Sequence, residues 1–573
     1  MRLAIDIGGT FTDIVLENEH ELLTKKVLTS IAQPELAVIE GISDLLNENN
    51  INSSEIKMII HGTTLATNAI IERKGAKTCF ITTEGFRDVL DIGYESRFDQ
   101  YDILIEKTMS LVPRKHRYVI EERTDINGSQ IKPIKTTQFK KLIEKIKSEN
   151  FESIGIGFLH SYANSENENI LKEFIFNNLP GVEVSISSEV CPEIREYERF
   201  TTTVINAYIK PLMSNYLKKL EYELIEKGFN CPLLLMTSGG TLTNIPSACN
   251  NPVRLVESGP AGGAILATSI ARDLGLNKVI SFDMGGTTAK ITVIENKKAI
   301  KAREFEVDRK ARFKKGSGFP LRIPVIEMVE IGAGGGSIAR VNKLEQIITG
   351  PDSAGSLPGP ACYCNGGTLP TITDADLIIG KINPENFAGG KIKLSKDLAA
   401  DAITKNISQI VNLDMDTAAL AISEIVDETM SNAARVHTVE QGHETSSRTL
   451  IAFGGAAPLH VARVAEKLKV SSIIIPTNAS VGSAVGFLKA PVGYEVVKSL
   501  RTLLKAFPVK KVNDLLKIMR EEAEKVIENK SEKNNFLEER FAYMRYAGQG
   551  HEIKVPIENN LLSIRHVDSI KSS

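Results

Sequence analysis

Two short acidic, glycine-rich segments have residue types that could bind phosphate. The first is Asp6-Ile7-Gly8-Gly9-Thr10-Phe11-Thr12-Asp13, and its D-x-G-G-T core recurs in Asp283-Met284-Gly285-Gly286-Thr287-Thr288-Ala289-Lys290. Glycine lets backbone N–H groups approach phosphate oxygens without a Cβ in the way, and threonine hydroxyls add donors. A carboxylate at the strand end, Asp6 or Asp283, could hold the waters of a Mg²⁺ ion that neutralises phosphate charge.

Both segments lie between apolar runs that predict strands. Residues 3–7 and 279–283 precede the glycines, and residues 13–16 and 291–294 follow them. The glycines are therefore expected in a hairpin between two strands, which differs from a strand-to-helix phosphate loop. One copy alone would favour an ordinary turn capped by aspartate. Two copies in matching contexts favour duplicated domains that share a phosphate-binding role.

A third small-residue segment follows another apolar strand, at residues 449–453. It contains Gly454, Gly455 and Ala456 and precedes a helix predicted at residues 460–468. Small residues at a helix start let a flat ring lie against the backbone, which suits adenine or ribose. Close packing of the strand on the helix is an equal alternative. No G-x-x-x-x-G-K-[ST] motif is present, and residues 332–337 do not complete a G-x-G-x-x-G fingerprint.

The surrounding pattern alternates short apolar runs with amphipathic helices, which favours a layered α/β fold. Three domains are expected, at residues 1–200, 201–491 and 492–573, and the last is expected to be incomplete. Residues 303–315 are predicted to form a mobile surface loop. Helices are predicted at residues 34–46, 139–146, 201–227, 417–436 and 512–530, and further strands at residues 57–61, 78–82, 153–158, 233–236 and 472–475.

Composition limits the class of protein. The 573 residues include 69 Lys and Arg against 71 Asp and Glu, and no basic stripe stands out, so nucleic-acid binding is not expected. No apolar run approaches the ~18 residues that cross a bilayer, and no secretory leader is recognisable, so a cytoplasmic location without membrane contact is expected. Six scattered cysteines predict reduced thiols.

Several further strings narrow the interpretation to one family. They are His61-Gly62-Thr63-Thr64-Leu65-Ala66-Thr67-Asn68, Thr83-Glu84-Gly85-Phe86-Arg87-Asp88, Glu257-Ser258-Gly259-Pro260-Ala261-Gly262-Gly263, Glu330-Ile331-Gly332-Ala333-Gly334-Gly335-Gly336-Ser337 and Thr373-Asp374-Ala375-Asp376. Together with the two D-x-G-G-T loops and the late G-G-A, the chain resembles the hydantoinase A/oxoprolinase family. That resemblance implies an α/β fold of two duplicated ribonuclease-H-like lobes of the actin/Hsp70 type, with a cleft between them and a partial C-terminal domain.

The resemblance also implies an activity. Members of this family use ATP and Mg²⁺, and the chain is expected to act as the ATP-binding A-type subunit of a cyclic amidase that opens a hydantoin, 5-oxoproline or related lactam. Phosphorylation of the amide oxygen would convert a poor electrophile into one that water can attack. A B-type subunit and an oligomer are the implied partners. A ketone carboxylase subunit resembling the acetone carboxylases and a non-enzymatic actin-like nucleotide switch stay open as alternatives.

Site residues are assigned by carrying the family pattern onto this sequence. Phosphate contacts are expected from Gly8, Gly9, Thr10, Thr12, Gly285, Gly286, Thr287 and Thr288, adenosine contacts from Gly454, Gly455 and Ala456, and metal contacts from Asp6 and Asp283. Asp13 is the candidate to orient a nucleophile, or it is a solvated turn carboxylate. Lys290 could stabilise transferring phosphate oxygens, or it could be a surface residue.

Two further residues are candidate catalytic groups. His61 could bind substrate or relay a proton, and a packed structural histidine is a comparable alternative. Glu257 could act on substrate or cap the following helix. Asp374 and Asp376 are predicted to share one face of a strand-like segment, where they suit either Mg²⁺ waters or a cap.

Overall fold

The computed structural model describes residues 1–9, 11–19, 21–29, 33–311, 314–390, 392–527 and 536–572. Among them, in chain order, are the strands β1 (Arg2–Ile7), β2 (Phe11–Glu17), β3 (Leu22–Leu28), β4 (Met58–Thr63), β5 (Thr78–Thr83), β6 (Arg117–Ile120), β7 (Arg123–Thr124), β8 (Gln130–Lys132), β9 (Ser153–Gly157), β10 (Glu183–Ile186), β11 (Leu233–Met236), β12 (Leu242–Asn244), β13 (Lys278–Met284), β14 (Ala289–Glu295), β15 (Lys298–Ala299), β16 (Lys301–Val307), β17 (Phe319–Ile326), β18 (Met328–Ile331), β19 (Ser337–Val341), β20 (Ile347–Ser353), β21 (Thr449–Phe453), β22 (Ser472–Ile474), β23 (Arg540–Met544) and β24 (Ile553–Ile557).

The helices of the described residues are α1 (Pro34–Glu48), α2 (Leu65–Ile71), α3 (Val89–Ile92), α4 (Phe139–Glu149), α5 (Glu166–Asn178), α6 (Ser187–Val190), α7 (Glu196–Glu226), α8 (Ile245–Asn250), α9 (Ser258–Asp273), α10 (Ile372–Ile378), α11 (Lys396–Ile403), α12 (Gln409–Val411), α13 (Met415–Glu440), α14 (Ala457–Leu468), α15 (Gly482–Lys489), α16 (Val509–Ile527) and α17 (Ile564–Ser572). Within the described ranges, no helix has both the length and the apolar character that crossing a membrane requires.

The chain divides into two compact units, each built from several segments. The first unit comprises Met1–Ala76, Glu95–Leu111 and Tyr208–Pro491, and the second comprises Lys77–Tyr94, Val112–Ala207 and Val492–Ser573. The domain boundaries near residues 200 and 491 stay a prediction.

The first unit contains two sheets of the same design. In one sheet the order is β12-β11-β4-β1-β2-β3, and in the other it is β15-β14-β13-β21-β22, with β18 added beside β14. In each, the glycine-rich segment joins two antiparallel strands, β1 to β2 and β13 to β14. The first strand of each hairpin then pairs in parallel with a later strand, β1 with β4 and β13 with β21. The repeated order confirms the duplicated lobes that the sequence repeat predicts.

Helices α9 and α15 join the two lobes of this unit through a shared core. They pack against each other so closely that a Cβ at Gly486 would lie 1.9 Å from the Gly262 carbonyl oxygen. One apolar cluster includes Ala4 from the first sheet, Val279 from the second, and side chains of both helices. Buried apolar area of this kind is the main favourable term in folding, so the cluster ties the two hairpins to one rigid support.

The second unit is built on a parallel four-stranded sheet of order β10-β9-β5-β6. Its apolar core includes Phe139 and Ile143 of α4, packed against strand residues such as Ile154. The Arg199 side chain is fully buried, and its guanidinium donates to the carbonyl oxygens of Glu193 and Phe158 at 2.9 Å each.

Most predicted elements are confirmed, and two are wrong. Residues 303–307 belong to strand β16, because antiparallel pairing with β17 gives their backbone groups hydrogen-bond partners. Residues 312 and 313 lie outside the described residues. Asp374 and Asp376 lie on helix α10 and not on a strand. The reason is a capping box, in which Thr371 Oγ1 accepts from the Asp374 N–H and the Asp374 carboxylate accepts from the Thr371 N–H. Helix α16 ends at Ile527, and residues 528–530 fall outside the described part of the chain.

Candidate functional site

The first hairpin places two carboxylates opposite each other. Asp6 on β1 and Asp13 on β2 are cross-strand partners, and the Gly8 N–H donates to the Phe11 carbonyl oxygen at 3.0 Å to close the turn. Thr12 is fully buried, and its hydroxyl lies 3.1 Å from the Thr29 hydroxyl. The Thr12 side chain on β2 therefore contacts the residue that follows β3, and its predicted phosphate contact stays a prediction. The predicted contact of Thr10 lies outside the described residues.

The second hairpin has the same geometry with one change of charge. Asp283 on β13 and Lys290 on β14 are cross-strand partners, and the Gly285 N–H donates to the Thr288 carbonyl oxygen at 3.1 Å. Gly286 and Thr287 are exposed at the tip. A Cβ at Gly285 would meet nothing within 4 Å, so the turn is open on one side. Its backbone N–H groups suit an anion better than an apolar ligand.

The two turns face each other within the first unit. A Cβ placed on Gly9 of the first turn would lie 3.8 Å from the Thr287 hydroxyl of the second. Sequence alone cannot show this proximity, because Gly9 and its equivalent in the repeat, Gly286, are 277 positions apart (286 minus 9). The structure therefore brings the two predicted phosphate loops to one place.

Helix α9 has glycines where the two strand-end carboxylates approach it, beside the two facing turns. A Cβ at Gly259 would lie 3.0 Å from Asp6 Oδ1, and one at Gly263 would lie 3.4 Å from Asp283 Oδ2. Residues four apart lie on one face of a helix. The two glycines thus leave room, one turn apart, for the two acids to approach the same helix face.

Both strand-end acids have raised pKa values, chiefly because they are buried. Burial, then repulsion from Asp13 and Asp283, raises the pKa of Asp6 to about 7. Burial also raises the pKa of Asp283 to about 6, although Lys290 opposes the shift. Asp6 Oδ1 is buried and has no hydrogen-bond partner among the described residues. A buried, unpartnered carboxylate oxygen fits a cation.

A divalent cation here would need ligands beyond these two acids. Within the described ranges, no group of three or more His, Cys, Asp and Glu side chains is arranged to hold a metal ion. Mg²⁺ is commonly bound by one or two carboxylates together with phosphate oxygens and water. The residues present therefore fit a magnesium ion that arrives with a phosphate ligand.

Asp13 is engaged by a neighbouring lysine. Lys26 on β3 is its cross-strand partner, and the Lys26 ammonium donates to Asp13 Oδ1. Burial raises the pKa of Asp13, and Lys26 opposes that shift. The pair stands beside Asp6, so Asp13 is no isolated turn carboxylate, and Lys26 is a basic residue of the site that the sequence interpretation missed.

Lys290 lies between two glutamates. Its ammonium is 3.5 Å from Glu330 Oε1 and 3.9 Å from Glu257 Oε2. Burial alone would lower the pKa of Lys290, but Glu330, Glu257 and Asp283 raise it, so the side chain stays an ammonium ion. The side chain is 18% exposed, which disfavours the surface alternative. Glu330, which pairs with Lys290 across β14 and β18, was not among the predicted site residues.

Glu257 has a backbone conformation that few residues other than glycine adopt. Its φ is 62° and its ψ 30°, and although it precedes α9 its side chain makes no capping hydrogen bond. Burial and then Glu330 raise the pKa of Glu257, and the Lys290 ammonium only partly offsets them. Left-handed backbone costs on the order of 1–3 kcal/mol and is common at functional sites. The missing capping hydrogen bond disfavours the capping alternative, and a catalytic role for Glu257 stays a prediction.

His61 is packed in the core of the first sheet. Its Nδ1 lies 3.3 Å from the Ile5 carbonyl oxygen and its Nε2 lies 2.8 Å from the Tyr216 hydroxyl. A carbonyl can only accept, so Nδ1 carries the proton and Nε2 accepts from Tyr216. Burial lowers the pKa of His61 to about 4. The geometry favours the packed structural alternative for this residue.

The predicted adenosine segment lies directly on the second hairpin. The Ala456 N–H donates to the Met284 carbonyl oxygen at 2.9 Å. Gly454 has a φ of +92°, and a Cβ there would lie 2.5 Å from Asp283 Oδ1. A Cβ at Gly455 would meet nothing within 4 Å, so this residue is open to a ligand. The segment therefore combines both alternatives: Gly454 packs closely on the hairpin, and the backbone of Gly455 is open to a ligand.

A fourth glycine segment, at residues 334–336, supports the second hairpin. The Gly335 N–H donates to the Gly285 carbonyl oxygen at 3.0 Å, and the Gly336 N–H donates to that of Gly286 at 2.7 Å. A Cβ at Gly334 would lie 2.6 Å from the backbone of Gly286 and Thr287. The glycines are visible in the sequence, but they do not complete a G-x-G-x-x-G motif, and no other pattern predicts that they contact the second hairpin.

Duplicated lobes, each with an acidic glycine hairpin, define an α/β protein of two ribonuclease-H-like halves. Solved structures with this architecture match the whole chain: an ATP-dependent caprolactamase from Pseudomonas jessenii (TM-score 0.84, 29% identity, 83% of that chain) and a nucleotide-free acetone carboxylase (TM-score 0.81, 25% identity, 83% of that chain). The predicted fold class is confirmed.

The chain belongs to the hydantoinase/oxoprolinase family. The family profile matches residues 199–496, and the profile of the family's N-terminal region matches residues 2–179. An uncharacterized protein of Methanocaldococcus jannaschii is 40% identical over 98% of this chain and 82% of its own length. The caprolactamase subunit alpha of Pseudomonas jessenii is 31% identical over the whole chain and 82% of its own length.

Proposed function

We propose that this chain is the ATP-binding, A-type subunit of an enzyme that hydrolyses a cyclic amide, a hydantoin, 5-oxoproline or related lactam. The observation that carries the proposal is the approach of the two hairpin turns beside the Asp6 and Asp283 carboxylates. One turn with one acid is common in proteins. Two turns with a buried, unpartnered carboxylate oxygen suit a polyphosphate with its metal ion.

The bound ATP would supply a phosphoryl group to the amide oxygen, which makes the carbonyl carbon electrophilic enough for water to add. The C–N bond of the ring would then break with the amine as leaving group, and a second water would release the phosphoryl group from the carboxyl oxygen as phosphate. The chain's own groups have separate tasks. The backbone N–H groups of Gly9 and Gly286 would bind phosphate oxygens, whereas those of Gly8 and Gly285 close the turns that present them. Asp6 and Asp283 would hold Mg²⁺ through its waters.

Lys290 and Glu257 are the groups we assign to the chemical step. The Lys290 ammonium neutralises charge that develops on the phosphoryl oxygens, and its burial makes that interaction stronger than it would be in water. Glu257 has a raised pKa, which suits a group that removes a proton from attacking water near neutral pH. Asp13, held by Lys26, orients the nucleophile or supports Asp6.

The proposed partner rests on one of these relatives. Because the caprolactamase relative is a subunit alpha, we infer that this chain also works with a second, B-type subunit in an oligomer. A cytoplasmic location stays a prediction.

A second candidate is a ketone carboxylase subunit. The acetone carboxylase structure, at 25% identity and a TM-score of 0.81, supports it. The two candidates differ in chemistry, because a carboxylase needs bicarbonate whereas an amidase needs only water. An activity that requires bicarbonate would therefore decide for the second candidate.

Phosphate release is the measurement that tests the proposal. The chain and its B-type partner are incubated with Mg–ATP and a panel of lactams, hydantoins and ketones, with and without bicarbonate. We expect one cyclic amide to stimulate release at least tenfold without bicarbonate. Asp6→Ala and Asp283→Ala should each abolish the stimulation, whereas Asp401→Ala, at an exposed helical site, should not. Hydrolysis that no small molecule stimulates would point instead to a nucleotide switch.

A further inference from the structure

The buried pair Asp376 and His460 takes no part in the chemistry proposed above. His460 is fully buried on α14, with its Nε2 3.0 Å from Asp376 Oδ2 and its Nδ1 2.7 Å from Asp427 Oδ1. The Nε2 contact is an ion pair whose direction does not meet hydrogen-bond geometry. Lys381 completes the cluster, 3.4 Å from Asp376 Oδ1.

The cluster is balanced in charge. Burial would lower the pKa of His460, but the hydrogen bond with Asp427 and the negative charges of Asp376 and Asp427 raise it to about 9. The imidazolium and the Lys381 ammonium thus face two carboxylates. A buried charge left without its partner is costly, so such clusters hold their elements in one arrangement.

Helix α10 connects this cluster to the second phosphate hairpin. Thr373, near the start of α10, donates to the Gly335 carbonyl oxygen through its N–H at 2.7 Å and its hydroxyl at 2.8 Å. Gly335 in turn donates to Gly285 of the hairpin at 3.0 Å. Asp376 lies three residues after Thr373 on the same helix, so one short helix contacts both the hairpin support and His460.

Helix α14 connects the cluster to the adenosine segment. His460 is in the fourth position of α14, which begins at Ala457, directly after Gly454, Gly455 and Ala456. The first turn of α14 cannot shift without moving His460 relative to its two carboxylates. A shift of α10 would likewise disturb both Thr373 and Asp376.

We propose that Asp376 and His460 are positioning residues that fix the adenosine segment relative to the second phosphate hairpin. They act through the backbone at Gly455 and do not contact the nucleotide themselves. The inference rests on the proposed binding of ATP at this site. It also gives the Thr373-Asp374-Ala375-Asp376 motif a task other than holding magnesium waters: its first two residues support the hairpin and the cap, and its last holds α14.

Direct binding measurements with two probes test this inference. The full chain is titrated with Mg–ATP and with Mg–tripolyphosphate by calorimetry. In Asp376→Asn we expect the affinity for ATP to fall about tenfold, while that for tripolyphosphate, which needs only the hairpins, stays within twofold. Thr373→Val should weaken both ligands, because it loosens the hairpin support. His460→Gln is the second variant, in case Asp376→Asn does not fold. It should also lose affinity for ATP about tenfold and keep its affinity for tripolyphosphate.

Glu424→Gln is the matched control. Glu424 on α13 pairs with Arg463 on α14 at 2.6 Å, so it also joins α13 to α14, but on the exposed face. This variant should leave both affinities unchanged. If Asp376→Asn and His460→Gln lose affinity for both ligands equally, or keep both affinities, the inference is overturned while the proposed function stays intact. Failure of the unaltered chain to bind ATP would remove the proposed function and the inference with it.

Discussion

Asp6 and Asp283 are unusual because they end strands in two separate sheets and yet meet beside one helix. The sequence repeat identified both residues, since each stands before a glycine turn of the same composition. Their neighbours could not be identified in that way. Lys26 and Glu330 reach the site through strand pairing, β2 with β3 and β14 with β18. No local motif marks Lys26, and Glu330 stands in a family string to which no role was assigned.

The titration of Asp6 should make the folding stability of the unliganded protein depend on pH. Its folded pKa, about 7, lies above the ordinary value of 3.8, so its protonated form favours folding and this contribution is lost as pH rises through 7. Asp6→Asn should therefore become more stable than the parent protein as pH rises from 4 to 8, by on the order of 2 kcal/mol, reduced for the partial exposure of the side chain. Thermal unfolding without nucleotide measures this. A constant difference across the pH range would contradict the prediction.

Lys290 should matter for turnover more than for binding. Lys290→Gln removes the positive charge that stands opposite Asp283 in the hairpin, and we expect kcat for stimulated phosphate release to fall 10²- to 10³-fold, the usual cost of losing one transition-state donor. The affinity for Mg–ATP should change less than tenfold. Calorimetry and steady-state kinetics on the same preparation separate the two effects. Unchanged kcat would leave Lys290 a structural residue.

At the scale of elements, the hairpins were predictable and their support was not. Apolar strands on both sides of D-x-G-G-T suffice to place a hairpin, and β1 to β2 and β13 to β14 form as expected. Helix α10 was predicted as a strand because Asp374 and Asp376 alternate. The T-x-x-D spacing of Thr371 and Asp374 is a capping-box signature that would have corrected it.

The glycine segment at residues 334–336 should tolerate no side chain. Gly334→Ala would place a Cβ 2.6 Å from the backbone of the second hairpin, so the turn must move. We expect the affinities for Mg–ATP and Mg–tripolyphosphate to fall at least tenfold together. Gly550→Ala is the matched control, because a Cβ there meets nothing within 4 Å. Retained binding in Gly334→Ala would mean that the second turn does not contact phosphate.

At the scale of the whole molecule, the repeat in the sequence correctly predicted the duplicated lobes, since each copy needs its own sheet. It could not predict that residues 95–111 belong with the first unit, or that residues 492–573 belong with the second. Those placements depend on contacts between segments far apart in the chain, which periodicity and turn chemistry do not encode. The same limit applies to substrate choice, which depends on side chains that no motif marks.

Ligand-induced stabilisation should require both lobes. Mg–ATP at a hundred times its dissociation constant stabilises a folded protein by about 2.7 kcal/mol, which raises the unfolding temperature. We expect Asp6→Ala and Asp283→Ala each to lose that rise, because each removes one of the two metal carboxylates. Thermal unfolding with and without Mg–ATP measures it, with Asp401→Ala as the control. A normal rise in either site variant would show that its lobe binds no part of the ligand.

The central claim is that the two hairpins bind one nucleotide together. A crystal structure of the chain with Mg²⁺ and a non-hydrolysable ATP analogue tests it most directly. The account predicts one triphosphate in contact with the backbone of both Gly8–Gly9 and Gly285–Gly286, with Mg²⁺ on the side of Asp6 and Asp283 and the adenosine against Gly455. A triphosphate bound by only one hairpin, or bound away from both, would contradict it.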